Sequence, residues 1–278
     1  MTSKKRGGVL IFGGGGTVGR ALTEHISELA PRCVVHVWNR ANHPLFLGDP
    51  ERRSFEKNLR PWLRQLSPSI VFNLAVAQSN DEAESRWINV DLPIWLSEVS
   101  MELGFRLVHT SSVMVFSQKK QGPYSLETRA DAADGYGLQK RLAEDGCLTA
   151  LRTKNASVTV ARLGWQIGPN SEQNTIRRYL EDQASRNGGL IRANRLWIPS
   201  CSRTHQTAAK LWELAHQAPG LYQIEGNCGL NFADIVERLR GEYSATHWNV
   251  EKTEDFAYNQ LMIDERVHMP PIFQDQPT

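Results

Sequence analysis

The stretch from Val9 to Gly19 restricts the fold of this chain more than any other part of its sequence. The apolar run Val9-Leu10-Ile11-Phe12 suits a short, buried parallel strand. It leads into a loop whose glycines 13, 16 and 19 have the spacing G-x-x-G-x-x-G, and an amphipathic helical pattern then continues to Pro31. In this order, a strand, a glycine loop and a helix indicate a dinucleotide site, because glycine lets the backbone approach a pyrophosphate and the helix start supplies N–H groups. A glycine turn that binds nothing is the alternative. The loop residues expected to contact the cofactor are Gly13, Gly16, Thr17, Val18 and Gly19.

The tip of the second predicted strand, Cys33 to Trp38, carries Asn39 and Arg40. This tip normally meets the adenosine ribose of a bound dinucleotide, where a carboxylate would bind the 2′-hydroxyl of NAD and an arginine accommodates a 2′-phosphate. Asn39 and Arg40 therefore favour NADPH, with NADH as the alternative. Arg40 as a plain surface charge is the other interpretation.

Predicted helices and strands alternate through the rest of the first half. The predicted helices run from about 49 to 66, from Glu82 to Leu103 with a kink at Pro93, and from Tyr136 to Leu151; the predicted strands are Ser69 to Leu74, Arg106 to Thr110 and Val158 to Leu163. This alternation predicts a doubly wound α/β fold, a parallel sheet with helices on both faces, whose ligands bind at the carboxyl ends of the strands. The small residues Ala75-Val76-Ala77 would let a cofactor ribose lie close to the backbone, and Leu74, Ala75 and Val76 are the expected cofactor contacts there. The glycine loop, Arg40, Ala75, Ser112 and Trp165 all follow strands and are expected at that edge.

Three side chains form the candidate catalytic set. Tyr136 and Lys140 are four residues apart, so they share one face of a helix. A nearby ammonium favours phenolate, so Lys140 is expected to lower the pKa of Tyr136 and to hold the cofactor ribose. Ser112 at a strand end can hold a substrate carbonyl oxygen while Tyr136 gives it a proton. The alternatives are an exposed aromatic–lysine pair and a serine that caps a backbone turn.

Composition excludes several classes of protein. A net charge of +2 gives no reason to expect nucleic-acid binding. No apolar run approaches the roughly 20 residues of a membrane span, and the N-terminus lacks the apolar segment of a signal peptide. The four cysteines are far apart without metal-ligand spacing, so we expect reduced thiols, no metal site and a cytoplasmic protein.

Taken together, these motifs resemble the extended short-chain dehydrogenases/reductases, and most of all their dTDP-4-dehydrorhamnose reductase branch. The resemblance rests on Gly13-x-x-Gly16-x-x-Gly19, Asn73-Leu74-Ala75, Asn89, Leu107 to Ser112 with Val115-Phe116, Gly122-Pro123-Tyr124, Tyr136-x-x-x-Lys140, Arg162 to Trp165 with Gly168-Pro169, Gly220 to Ile224 and Pro270-Pro271. It implies a Rossmann-type domain over residues 1–165 and a smaller substrate-binding region over 166–278. Part of the latter, about 205–225, is expected to return to the first domain.

The resemblance also implies an activity: NADPH-dependent reduction of the 4-keto group of a nucleotide-linked deoxysugar, with Ser112, Tyr136 and Lys140 as the catalytic triad. Ser112, Val113, Trp165 and Arg203 are the expected substrate contacts. Other arginines that could pair with a diphosphate, or lie solvated at the surface, are Arg177, Arg178, Arg192 and Arg195. Trp165 and Trp197 could stack on a base or sugar, or pack in the core. His205 is expected to be a structural hydrogen-bonder.

Two departures from the family pattern bear on the substrate. Val113-Met114 stands where the family usually has Asp-Tyr, and Arg203-Thr204-His205-Gln206 where it often has acidic residues. The alternatives are therefore an epimerase, dehydratase or ketone reductase of the same fold, or a non-catalytic NADP-binding regulatory subunit like that of methionine adenosyltransferase. Family members often form homodimers, so a homodimer is one expected state of this protein.

Overall fold

The computed structural model describes residues 7–38, 52–77, 81–169 and 175–274. The predicted cofactor contacts Asn39 and Arg40, and the helix start predicted at 49–51, lie outside these residues.

Helices and strands alternate in the first half of the chain and become shorter and less regular in the second. The helices are α1 (Thr17–Leu29), α2 (Arg52–Leu66), α3 (Glu82–Arg86), α4 (Leu92–Leu103), α5 (Gly135–Lys154), α6 (Thr175–Arg186), α7 (Thr204–Leu214) and α8 (Phe232–Glu242). The strands are β1 (Val9–Phe12), β2 (Val35–Trp38), β3 (Ile70–Asn73), β4 (Arg106–Ser112), β5 (Val158–Leu163), β6 (Trp165–Ile167), β7 (Leu190–Asn194), β8 (Trp197–Ile198), β9 (Cys201–Arg203), β10 (Gly220–Ile224), β11 (Asn249–Thr253) and β12 (Tyr258–Asn259).

In the described part of the chain, six strands form one sheet in the order β10-β5-β4-β3-β1-β2. Every neighbouring pair is parallel. From β1 the chain first adds β2 on one side and then β3, β4 and β5 on the other, so the strand order reverses between β1 and β3. This reversal confirms the predicted doubly wound α/β fold and opens a crevice at the carboxyl ends of these strands.

Helices cover the sheet on both faces, which is why β1 and β3 are buried along their whole length. On one face Leu10, Phe12 and Leu107 pack with Trp95 of α4 and Cys147 of α5. The opposite face carries a second core to which α1 and α7 contribute; its members include Ile11, Leu22, Ile26, Val108 and Leu211. Because apolar cores cover both faces, a ligand can reach the sheet at the polar ends of its strands.

The segment predicted as one kinked helix from Glu82 to Leu103 is instead interrupted by a π-helical turn, Trp87–Asp91. In it the N–H of Leu92 donates to the carbonyl of Trp87, five residues back. Pro93 follows at the start of α4, where a missing N–H is tolerated. The irregularity therefore lies before the proline, and π-helical turns of this kind frequently occur at functional sites.

The C-terminal region builds a separate core from α6, α8 and short parallel strand pairs, β6 with β9, β7 with β11 and β8 with β12. Two of its elements contact the first half: β10 joins the main sheet and α7 contributes Leu211 to the core against α1. The boundary expected at residue 165 remains a prediction.

None of the described helices combines the length and the apolar character that crossing a bilayer would require. Within the same residues, no three histidine, cysteine or acidic side chains come together as a metal site would need.

Candidate active site

A cavity of about 1160 Å³ lies over the carboxyl ends of β1, β3, β4 and β5. At one end it is lined by the glycine loop and at the other by the start of α5. Its lining is Gly13, Gly16, Thr17, Val18, Gly19, Leu74, Val76, Ala77, Glu82, Ser85, Arg86, Thr110, Ser111, Ser112, Met114, Gly135, Tyr136, Leu138, Gln139, Leu142, Leu163, Gly164, Trp165 and Gln166.

The glycine loop is packed so closely that side chains could not be added at two of its positions. Gly13 has a φ of +78°, and a Cβ there would lie 2.7 Å from the backbone oxygen of Leu74. A Cβ on Gly19 would lie 2.3 Å from the Gly13 oxygen. Gly16 is the N-cap of α1 and has no side chain to bond the first helical N–H groups. The loop therefore presents bare backbone and a helix N-terminus to the cavity, which fits the pyrophosphate of a dinucleotide.

Most of the predicted cofactor contacts are brought together here. Gly13, Gly16, Thr17, Val18, Gly19, Leu74, Val76 and Tyr136 all line the cavity. Ala75 is 8% exposed, packs in the core and lies between two lining residues. Lys140 is also absent from the lining, because its whole side chain is buried below Tyr136.

Lys140 crosses from α5 to β4. Its Nζ donates to the backbone oxygen of Thr110 over 2.8 Å and lies 5.8 Å from the ring centroid of Tyr136. Burial lowers the pKa of Lys140 to about 8, and the nearby Glu144 carboxylate offsets part of that effect. The ammonium is therefore largely retained at neutral pH.

The pKa of Tyr136 shifts in the direction opposite to the sequence prediction. Burial raises it, and this desolvation of the phenolate dominates over any effect of the Lys140 charge. In this arrangement the phenol is protonated at neutral pH. A protonated phenol is the form that a general acid needs for reduction of a carbonyl.

Ser112 lies at the cavity and also performs the capping role named as its alternative. Its Oγ accepts a 3.2 Å hydrogen bond from the backbone N–H of Met114. The hydroxyl hydrogen is not used in that bond, so Ser112 can still donate to a ligand oxygen. The preceding Ser111 is 4% exposed, and its Oγ has no hydrogen-bond partner in the described part of the chain.

Val113 does not line the cavity, although the sequence predicted it as a substrate contact. Val113 is 3% exposed and packs with Val115, Phe116 and Tyr124. Met114, which was not predicted, lines the cavity instead. The 3₁₀ turn Val113–Val115 explains this, because it turns the first side chain inward and the second outward.

Of the two remaining predicted substrate contacts, only Trp165 is at the cavity. Its ring packs edge-on against Trp197, Tyr179 and Phe232, so it is both a cavity wall and part of an aromatic cluster. Arg203 does not line the cavity. Its guanidinium makes two bonds to Glu242, of 2.7 and 2.5 Å, and one of 2.8 Å to the Ile272 oxygen.

The other C-terminal arginines that were candidates for a diphosphate also have protein partners. Arg192 pairs with Asp255 and Arg195 with Glu254, over 3.2 and 2.5 Å. Arg177 lies over the Tyr243 ring, 4.4 Å from its centroid. Burial and the neighbouring Arg203 charge lower the pKa of His205, so the neutral imidazole is favoured.

Several cavity side chains were not predicted from the sequence: Glu82, Ser85 and Arg86 of α3, Met114, Gln139 and Gln166. Gln139 carried a usable signal, since it is three residues after Tyr136 on the same helix. The α3 residues carried none, because no local sequence pattern places them beside the strand ends.

A buried polar network holds α5 against the sheet. Arg162 of β5 donates to both carboxylate oxygens of Glu144, over 2.8 to 3.2 Å, and to the amide oxygen of Gln223 over 3.1 Å. Gln223 in turn donates to the backbone oxygen of Tyr124. The helix that carries Tyr136 and Lys140 is thereby tied to β5 and β10.

The doubly wound sheet, its glycine loop and the tyrosine–lysine helix define the class as an extended short-chain dehydrogenase/reductase. Within it, the family model described as RmlD substrate binding domain matches residues 7–227, so the chain belongs to this family. The resemblance found in the sequence is thus confirmed.

One related protein is the probable dTDP-4,6-dihydroxy-2-methyloxan-3-one 4-ketoreductase of Streptomyces antibioticus. It is 28% identical over 188 residues, which are 66% of this chain and 58% of that protein. The match therefore spans less than two thirds of the relative's length.

Solved structures share the fold at low sequence identity. The dTDP-4-dehydrorhamnose reductase of Bacillus anthracis, in complex with NADP, has a TM-score of 0.74 at 18% identity, covering 96% of both chains. The dTDP-glucose 4,6-dehydratase of the same organism, in complex with NAD, has a TM-score of 0.72 at 16% identity, covering 93% of this chain and 88% of that one. The UDP-N-acetylglucosamine 4-epimerase of Bacillus cereus has a TM-score of 0.73 at 17% identity, covering 94% and 91%.

Proposed function

We propose that the protein is an NADPH-dependent reductase of the 4-keto group of a nucleotide-linked deoxysugar. The observation that carries this proposal is that one cavity is lined by the glycine loop at one end and by Ser112 and Tyr136 at the other. The family match and the names of the ketoreductase and dehydrorhamnose reductase relatives support the same reaction.

The cofactor fits the residues present. Gly13 and Gly19 leave no room for side chains, and the start of α1 would hold the diphosphate. When bound, the reduced nicotinamide supplies a hydride to the carbonyl carbon. NADPH is favoured over NADH because Arg40 follows the second strand and because the Bacillus anthracis reductase binds NADP.

The side chains of the cavity would act on the carbonyl oxygen. Ser112 would donate its hydroxyl hydrogen and hold that oxygen in place. Tyr136, whose pKa is raised by burial, would be the general acid that gives it a proton as negative charge develops. Lys140 stays largely protonated and would stabilise the resulting phenolate from its buried position. The predicted contact with the cofactor ribose would require its Nζ to leave the Thr110 oxygen.

The shape of the cavity is compatible with a large substrate. Its volume of about 1160 Å³ exceeds the roughly 300 to 1,000 Å³ typical of small-molecule sites. Met114, which stands where the family usually has Tyr, gives the wall beside Ser112 an apolar, adaptable surface. We therefore expect the reacting sugar to present an apolar edge there, such as the methyl group of a 6-deoxysugar.

The test is NADPH oxidation measured with a panel of 4-keto nucleotide sugars, together with NADPH binding by fluorescence titration. Turnover with one 4-keto-6-deoxysugar nucleotide is the expected result. NADPH binding without turnover on any member would contradict it and favour the regulatory-subunit alternative. Equilibration of a 4-hydroxy sugar epimer pair without net NADPH use would favour an epimerase.

We also propose a homodimer, a state that family members often adopt, and a cytoplasmic location, which the spacing of the cysteines favours. Sedimentation of the purified protein checks the first point and fractionation of expressing cells the second.

A further inference from the structure

Within the proposed reductase, the structure assigns Gln139 as a specificity-determining hydrogen-bond donor toward an acceptor oxygen of the bound ligand. Gln139 lines the cavity three residues after Tyr136. On a helix of about 3.6 residues per turn, Gln139 and Lys140 lie on opposite sides of Tyr136. Lys140 reaches β4 on one side, and Gln139 reaches the π-helical turn on the other.

The orientation of the Gln139 amide follows from the backbone N–H of Ala77, which can only donate a hydrogen bond. The N–H of Ala77 donates to Asn89 Oδ1 over 3.0 Å, and Asn89 Nδ2 donates back to the Ala77 oxygen over 3.0 Å. Since a backbone N–H can only donate, the Asn89 amide has one orientation. Its second N–H then donates to Gln139 Oε1 over 2.8 Å.

Gln139 Oε1 must therefore face Asn89, and the Gln139 NH₂ group faces away from it. Within the described residues, no acceptor binds that NH₂ group. The Gln139 side chain starts from α5, the same helix that carries Tyr136. Asn89 links the Gln139 side chain to Ala77, and Ala77 lines the same cavity as Glu82, Ser85 and Arg86 of α3. Two N–H donors on a fixed amide are thus available on the α3 side of the cavity.

An amide held in this way distinguishes acceptors from donors. A ligand oxygen with a free lone pair gains a hydrogen bond, whereas a group that can only donate leaves the amide unpaired. The oxygen can belong to the dinucleotide, as a ribose or phosphate oxygen, or to the sugar nucleotide, as a hydroxyl or ring oxygen. Both sources share this chemistry, and separate binding measurements distinguish them.

The experiment measures two affinities for each variant: NADPH alone by fluorescence, and dTDP-glucose in the presence of NADP⁺ by calorimetry. We expect Gln139→Leu and Gln139→Glu to weaken one of the two by about threefold to tenfold, and the probe that is affected identifies the source of the oxygen. Gln217→Leu is the matched control, because the Gln217 amide makes an exposed hydrogen bond to Glu213 away from the cavity.

The variant Asn89→Asp tests the orientation itself. The introduced carboxylate still accepts from the Ala77 N–H but has no N–H for Gln139. The Gln139 amide should therefore turn its NH₂ group toward that carboxylate and its oxygen toward the cavity. The same probe should weaken by a similar factor, and Asn89→Asp combined with Gln139→Leu should be no weaker than Gln139→Leu alone.

Unchanged affinity for both probes in the two Gln139 variants overturns this assignment and leaves the reductase proposal intact. If the unaltered protein does not bind NADPH, the reductase proposal fails and the assignment fails with it.

Discussion

The cavity end of the main sheet and the arginine-rich C-terminal region use their polar side chains in opposite ways. At the sheet, Ser112, Tyr136 and Gln139 line the cavity with hydrogen-bonding capacity left over. In the C-terminal region, Arg195 and Arg203 face carboxylates of the protein, Glu254 and Glu242. A cluster of charges in a sequence is therefore weak evidence for a ligand, whereas polar residues at the ends of parallel strands are strong evidence, because the fold brings those ends to one edge.

Among the tests of this contrast, replacing Tyr136 by Phe should give the largest effect. The variant keeps the ring and loses the proton donor, so we expect kcat to fall by about 10² to 10⁴ with NADPH affinity within twofold. Stopped-flow NADPH oxidation and a fluorescence titration measure the two quantities. Tyr222→Phe is the control, since the Tyr222 hydroxyl bonds the Ala218 oxygen far from the cavity. A kcat within fivefold of the unaltered protein would remove Tyr136 from the chemistry.

The buried ion pair behind α5 should matter far more for stability than the exposed pairs. The Glu144 and Arg162 side chains are 3% and 4% exposed, so Glu144→Ala leaves a buried guanidinium unpaired and should lower the free energy of unfolding by about 3 to 5 kcal/mol. The exposed partner Glu254, replaced by Ala, should cost about 0 to 1 kcal/mol. Urea unfolding followed by circular dichroism measures both, and equal effects would contradict the contrast.

The difference between the two regions also explains what could be predicted from the sequence. The strand Val158–Leu163 was placed correctly because most of its residues are apolar, and Gly220–Ile224 because it resembles the late strand of the family. The edge that gathers the glycine loop and Ser112 follows from parallel pairing alone.

Side-chain partners that are distant in the sequence could not be predicted in this way. Glu242 is 39 residues from Arg203, and nothing local indicates that the two bind each other. The same holds for the inward turn of Val113 and for the pKa of Tyr136, which depends on how deeply the assembled fold buries the phenol.

The buried ammonium of Lys140 and the exposed lysines can be compared by how their contributions to stability change with pH. Burial lowers its pKa to about 8 from an ordinary value of 10.5. Between these two pH values the unfolded chain binds this proton and the folded chain has largely lost it, so the contribution of Lys140 to the free energy of unfolding rises with pH. Below pH 8 Lys140 is protonated in both the folded and the unfolded chain, so the full cost of burying the ammonium lowers the free energy of unfolding.

We therefore expect the unfolding free energy of the unaltered protein, relative to a Lys140→Met variant, to increase from pH 8 to pH 10. Urea titrations at several pH values give the difference directly, and titrating groups whose pKa does not depend on Lys140 cancel in it. A difference that stays flat would mean that the ammonium is solvated. The exposed Lys154, paired with Glu98, is the control and should show no such trend when replaced by Met.

Arg203 offers the smallest expected effect and the most direct way to break the comparison. The sequence predicted a substrate contact, whereas its guanidinium is bound to Glu242 and the Ile272 oxygen. Arg203→Ala should therefore leave the KM for the sugar nucleotide within twofold while lowering thermal stability. A tenfold rise in KM would mean that the guanidinium exchanges Glu242 for the substrate diphosphate. Glu242→Gln separates these cases: it weakens the internal pair, so it lowers KM if Arg203 binds substrate and leaves KM unchanged if the arginine only joins α8 to the C-terminal segment.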